Sequence, residues 1–180
     1  MSVSNLDAKV FPIGGYSSVG QYNDQQINQW IHELDQLPFL LSRVSIHLEE
    51  VFLDSPLREG AWTIRQLIHH IADSHHHAYT RFKWTLTENE PLIKTYDEKA
   101  WSQLLDSSAP IQLSLDHLSA VHQKWVFLLR KMNESDFNRR FQHPDTKSYH
   151  FLFDYLGVYA WHGNHHLAQI KQAFEQFNQG

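Results

Sequence analysis

His162 and His166, in the stretch Trp161-His162-Gly163-Asn164-His165-His166, stand four residues apart in what reads as helix interior. At that spacing two imidazoles share one face about one turn apart and can hold the same metal ion. A second histidine-rich piece lies upstream, His69-His70-Ile71-Ala72-Asp73-Ser74-His75-His76-His77, and the two pieces together carry eight of the chain's 14 histidines. A third imidazole from the upstream helix would complete a site with one open position, the arrangement catalytic zinc prefers. Neutral imidazoles leave the full charge on a dication, so a bound water or thiol becomes strongly acidic. Histidine donors suit Zn2+ or Ni2+ better than Mg2+ or Ca2+.

On the last helix Leu152, Tyr155, Tyr159, His162, His166, Ile170 and Ala173 follow one another by three or four, which puts both histidines on the core stripe. His165 belongs to the neighbouring row with Val158, Trp161 and Gln172. Gly163 removes a side chain between the two imidazoles, so a neighbouring helix or a substrate can come close. A lone histidine on an apolar stripe is ordinarily a core residue satisfied by hydrogen bonds. Two at this spacing, buried without partners, cost several kcal/mol, and one ion accounts for both. Upstream, the stripe centre lies near Ile71 and His75 with His70 at its edge beside Ser74, so periodicity admits either His70 or His75 as third ligand. His69 points away with Asp73 and His76, and His76 and His77 read as a solvated face.

The elements that must position these residues are long amphipathic helices. The first spans about 24 to 51, with Pro38 predicting a kink or two helices in tandem. The second starts at the capping-box pair Thr63 and Gln66, with Trp62 as a staple, and reaches about Leu86. Asp97 caps a short helix. Pro110 opens the third long helix, which carries Leu115, Leu118, Val121, His122, Trp125, Leu128, Leu129 and Met132. Residues 133 to 148 read as irregular, with a turn at His143-Pro144-Asp145-Thr146, and the fourth long helix spans about 151 to 177. No alternating run is flanked by hairpin turns, so no strand is predicted. The expected fold is all-α: a single four-helix-bundle domain over 1–180, with residues 1–23 as an extended arm packed on it.

Composition narrows the function. A formal charge of −5 argues against a nucleic-acid partner. No apolar run approaches the ~20 residues of a membrane span, and Met1 to Lys9 is too polar for a signal peptide. With no cysteine there is neither disulfide, nor thiolate zinc site, nor cysteine nucleophile. A soluble cytoplasmic protein is expected, acting on a small molecule, with any metal held by His, Asp or Glu.

The stretches Trp62-Thr63-Ile64-Arg65-Gln66-Leu67-Ile68-His69-His70-Ile71-Ala72-Asp73-Ser74-His75 and Tyr159-Ala160-Trp161-His162-Gly163-Asn164-His165-His166-Leu167-Ala168-Gln169-Ile170 closely resemble the metal-site helices of YfiT-type proteins in the DinB-like superfamily. The resemblance extends to Pro12-Ile13-Gly14, Arg81-Phe82-Lys83, Tyr96-Asp97-Glu98-Lys99-Ala100-Trp101 and His143-Pro144-Asp145-Thr146-Lys147, and departs at His150-Phe151, where a more polar helix cap is expected. It implies an up-and-down four-helix bundle, commonly a homodimer, with one divalent metal per chain. The family's first ligand maps onto His70, which decides between His70 and His75, and the other two map onto His162 and His166.

The superfamily's thiol transferases suggest S-transfer of a low-molecular-weight thiol, such as bacillithiol, to an electrophile as the leading expectation. The alternative is a metal-dependent hydrolase using metal-bound water. A third is a non-catalytic stress-response module stapled by its metal. Hydrolysis is disfavoured because Gly163 stands where H-E-x-x-H would place a general base. Asp73, His75, Asp154 and His165 are candidates for a base or for a group that orients the ligands. Arg81 could attract an anionic substrate and Tyr96, Trp101 and His143 could rim the pocket, although ordinary loop packing and a charged helix face carry more weight for each.

Overall fold

The computed structural model describes residues 7–179; the first six residues of the arm read from the sequence lie outside the described residues. Asn23 starts the first long helix, its side-chain oxygen accepting from the Gln26 N–H at 2.8 Å and satisfying a donor that a helix start leaves bare. Helix α1 (Asp24–Ser45) buries Ile27, Trp30, Ile31, Leu34, Leu37 and Leu41 at the three- and four-residue steps of its apolar stripe. It runs on through Pro38 as one helix, so the alternative of two helices in tandem does not hold. Proline has no N–H, so the helix loses one hydrogen bond there and the Leu34 carbonyl loses its helical partner. The break comes later: α1 stops at Ser45, short of Val51, and a separate turn α2 (Glu50–Leu53) follows.

Helix α3 (Ile64–Thr87) opens on a reciprocal cap, with Thr63 Oγ1 accepting from Gln66 N at 3.2 Å and Gln66 Oε1 from Thr63 N at 3.0 Å. Arg65, one residue into it, is buried and paired with Glu50 and with Asp54 at 2.7 Å, which ties α2 to α3. The short α4 (Glu98–Trp101) and a 3-10 turn at Leu105–Ser108 lead to α5 (Ile111–Leu129). Then come α6 (Glu134–Phe137), an antiparallel pair of β1 (Arg140–Gln142) and β2 (Tyr149–Phe151), and α7 (Leu152–Gln179). The hairpin corrects the strandless expectation. Three residues per strand are too few to display a period of two. His150-Phe151 closes this hairpin rather than capping α7, which explains the missing polar cap.

Helices α1 and α3 each pack against both α5 and α7. The chain thus builds a four-helix bundle in which α1 faces α3, and α5 faces α7, across the diagonals. Two apolar clusters fill it. One gathers Leu34, Phe82, Trp125, Leu156 and Tyr159, the other Leu37, Leu41, Ile68, Leu118 and Ile170. Each such buried side chain contributes roughly 1.5–3 kcal/mol. Along α3, α5 and α7 the changeover between clusters falls at His75, His122 and His162, so a layer of imidazoles separates two apolar cores. Among the described residues no helix is long and apolar enough to cross a membrane.

Candidate metal centre

Two adjacent helices bring three imidazoles together. His162 and His166, one turn apart on α7, meet His70 from the second turn of α3. His162 Nε2 lies 3.1 Å from His166 Nε2 and 3.3 Å from His70 Nε2. One ligand atom from each of the three falls within 4.8 Å of the others. His75, the alternative that periodicity leaves open, sits behind the His162 ring, its Nε2 3.2 Å from His162 Nδ1.

Gly163 lets α1, rather than α3, come close to α7 beside this cluster. A Cβ there would collide with the Leu37 side chain, so the space that the missing side chain leaves is taken by α1. Tyr159 packs at a ring distance of 5.5 Å from His162, and Trp62 at 4.8 Å from His70. Among these rings the charged form is penalised. Burial pushes His70 down to about 4 and His166 down to about 3, and holds His162 and His75 well below the ordinary histidine value. The rings are therefore neutral near pH 7, as metal ligation requires.

Whether a cation fits is decided by where the hydrogens are. Gln169 Nε2 donates to the Val10 carbonyl at 2.8 Å, which fixes the amide orientation and leaves Oε1 to accept from His166 Nδ1 at 2.8 Å. The neutral His166 ring carries its hydrogen on Nδ1, so its Nε2 points a bare lone pair at His70 and His162. A small dication with nitrogen ligands suits that arrangement. The arm takes part, since Val10 holds Gln169 and Gly14 accepts from Trp161 Nε1 at 3.1 Å. Neither Gln169 nor His122 is singled out by the sequence; a polar side chain on a stripe that buries its neighbours is the signal that marks both.

The remaining candidates divide. Asp73 lines a narrow crevice with His69, His70, Tyr96, Glu98 and Trp101, and burial, with Asp106 nearby, raises its carboxyl. Tyr96 stacks on His77 at 4.4 Å and against Trp101 at 4.7 Å, so both rim this crevice. His69 is a structural tie, accepting from Ser114 Oγ at 2.7 Å and donating to the Ala109 carbonyl at 3.0 Å. Four candidates are not brought to the cluster. Asp154 accepts from the Tyr16 hydroxyl at 2.8 Å in the first turn of α7, and His143 packs on His150 in the hairpin. Arg81 is buried with its guanidinium on the Tyr155 hydroxyl and, at 3.0 Å, the Lys94 carbonyl. It pins the loop after α3 instead of facing a ligand. His165 stacks on Trp161 at 4.7 Å and against Phe11 at 5.5 Å, on the side of α7 that receives the arm.

A family model described as the DinB superfamily matches residues 47–170. A protein of Oceanobacillus iheyensis, named "Putative metal-dependent hydrolase OB0782", is 46% identical over 160 residues, covering 89% of this chain and 92% of that one. The solved structure of YfiT from Bacillus subtilis, described as a probable metal-dependent hydrolase with an unusual four-helix bundle topology, superposes with a TM-score of 0.93 at 41% identity, over 95% of this chain and 98% of its own. A further four-helix bundle protein, TT2238, shares the fold alone, at a TM-score of 0.54 and 20% identity over 78% of this chain and 94% of its own. Helix order, the diagonal packing and the histidine cluster thus accompany a match along nearly the whole chain, which belongs to the DinB superfamily and is a homologue of YfiT.

Proposed function

We propose that this is a divalent-metal-dependent enzyme in which His70, His162 and His166 hold one ion per chain, Zn2+ or Ni2+, with a face left open to a nucleophile. The convergence of three imidazole nitrogens within 4.8 Å carries the reading. The bound ion would supply Lewis acidity, lowering the pKa of a water or thiol that reaches it. The chain's own residues do the rest. Gln169 turns the His166 lone pair inward, Trp62 and Tyr159 pack against the ligand rings, and Tyr96 and Trp101 rim a narrow crevice whose wall includes His70.

The finer reading is S-transfer from a low-molecular-weight thiol of the bacillithiol type to an electrophile. A thiol acidified by an ion needs no protein base, and Gly163, packed on Leu37, occupies the position a base would take in H-E-x-x-H. Hydrolysis is the second reading, favoured by the names of the relatives, with Asp73 as the base its raised carboxyl allows. A cytoplasmic homodimer that binds neither nucleic acid nor membrane is proposed on the resemblance and the charge.

Metal analysis of protein loaded with Zn2+ tests the site. His70→Ala, His162→Ala and His166→Ala should each lose the ion, while His69→Ala and His165→Ala should keep most of it. Full occupancy in any of the first three refutes the ligand set. Loaded protein given a thiol and chlorodinitrobenzene, in parallel with an ester and amide panel, separates transfer from hydrolysis.

A further inference from the structure

His122 lies outside the three converging nitrogens, yet its hydrogen bonds bear on which nitrogen of His162 is free. The starting point is the Leu34 carbonyl. Pro38, four residues on, has no N–H to give it, so the carbonyl is open to another donor inside the bundle. His122 Nδ1 lies 2.6 Å from it. A carbonyl can only accept, so Nδ1 carries the hydrogen. The ring is 2% exposed and burial holds it down to about 4, hence neutral, so Nε2 is an acceptor. That Nε2 is 2.9 Å from His75 Nδ1, which must donate. His75 is fully buried, and its Nε2, now the acceptor, is 3.2 Å from His162 Nδ1. His162 therefore donates from Nδ1 and has a bare lone pair at Nε2.

We propose that His122 and His75 are positioning residues that lock the tautomer of His162, transmitting the demand of one backbone carbonyl on α1 through α5 and α3 to α7, so that His162 is held ready to ligate through Nε2. This rests on the reading of the three-histidine cluster as a metal site and extends it. With Gln169 acting in the same sense on His166, the two α7 rings face one another with bare lone pairs 3.1 Å apart, a contact that a cation relieves. The series orients and does not conduct, because a carbonyl at its far end accepts no proton from the line.

The test has two arms. Long-range 1H–15N NMR of the metal-free, 15N-labelled protein should find His75, His122 and His162 all protonated on Nδ1. Chelator competition should then show Zn2+ affinity falling about 10- to 100-fold in His122→Phe, the range typical of lost partners behind a ligand. In that variant the metal-free His162 should gain Nε2–H character. His122→Gln, whose amide again offers a donor and an acceptor on one planar head, should recover most of the affinity. Nε2–H on His162 in the wild type, or an unchanged Zn2+ affinity in a folded His122→Phe, overturns the proposal. Should His122→Phe not fold, the wild-type spectrum decides. A wild type that binds no Zn2+ refutes the metal reading, and the tautomers of the metal-free protein still judge the lock.

Discussion

An imidazole offers either nitrogen to a metal, and a site that leaves the choice open loses affinity to the wrong tautomer. Here single polar atoms remove the choice, the Gln169 amide for His166 and the His75 ring for His162. Glycine plays a steric part beside them. At Gly157 a Cβ would stand 2.6 Å from the Tyr16 hydroxyl oxygen and 2.8 Å from the Trp30 ring, and at Gly163 it would strike Leu37. Alanine is the better helix former by about 1 kcal/mol, but overpacking a tight contact costs about 1–3 kcal/mol. Gly163→Ala should therefore be destabilised in urea, and should recover when Leu37 is shortened to Val. A Gly163→Ala protein more stable than wild type would show that α1 yields freely at this point.

At the scale of elements, α3 carries the most positional information, because His70 and His75 must each face the bundle at a set height. Its start is pinned by the Thr63–Gln66 cap, and Gln66 also donates to the Ser102 carbonyl at 2.9 Å, drawing in the loop that rims the crevice. Thr63→Ala should cost about 1 kcal/mol, in the usual range for a lost cap, measured as a lower urea midpoint with an unchanged slope. The ion content should stay the same, since burial of Ile64, Leu67 and Ile71 holds the rotation of the helix independently of its cap. In α1, Pro38 is retained within a continuous helix, and the hydrogen bond it forfeits is replaced by one from another helix.

For the molecule as a whole, the imidazole layer between two apolar clusters makes stability depend on pH. Burial holds His122 down to about 4, and outside that layer partial burial, with Arg81 nearby, does the same for the half-buried His77, against an ordinary value of 6.5. Below 6.5 the unfolded chain takes up protons that the folded one refuses. The benefit of these neutral rings is complete above that value, is lost as pH falls towards 4, and changes little below it for these groups. The melting temperature of metal-free protein should fall through this window, and less steeply in His122→Gln. A melting temperature that rises on acidification would mean that the buried rings are charged. The sequence by itself determined the four long helices, the cap at Thr63 and the i, i+4 histidine pair, because caps, stripes and neighbouring turns depend on residues a few positions apart. It did not show the three-residue strands, α6, or the end of α1 at Ser45, where the local signal is too short or too weak. Periodicity also left His70 and His75 equal, for both lie near one stripe. Their separation into a member of the cluster and a ring behind it depends on how α3 is rotated against α7. So do the reach of His122 to Leu34 and of Gln169 to Val10, contacts 88 and 159 residues apart along the chain that only side-chain packing between elements could decide.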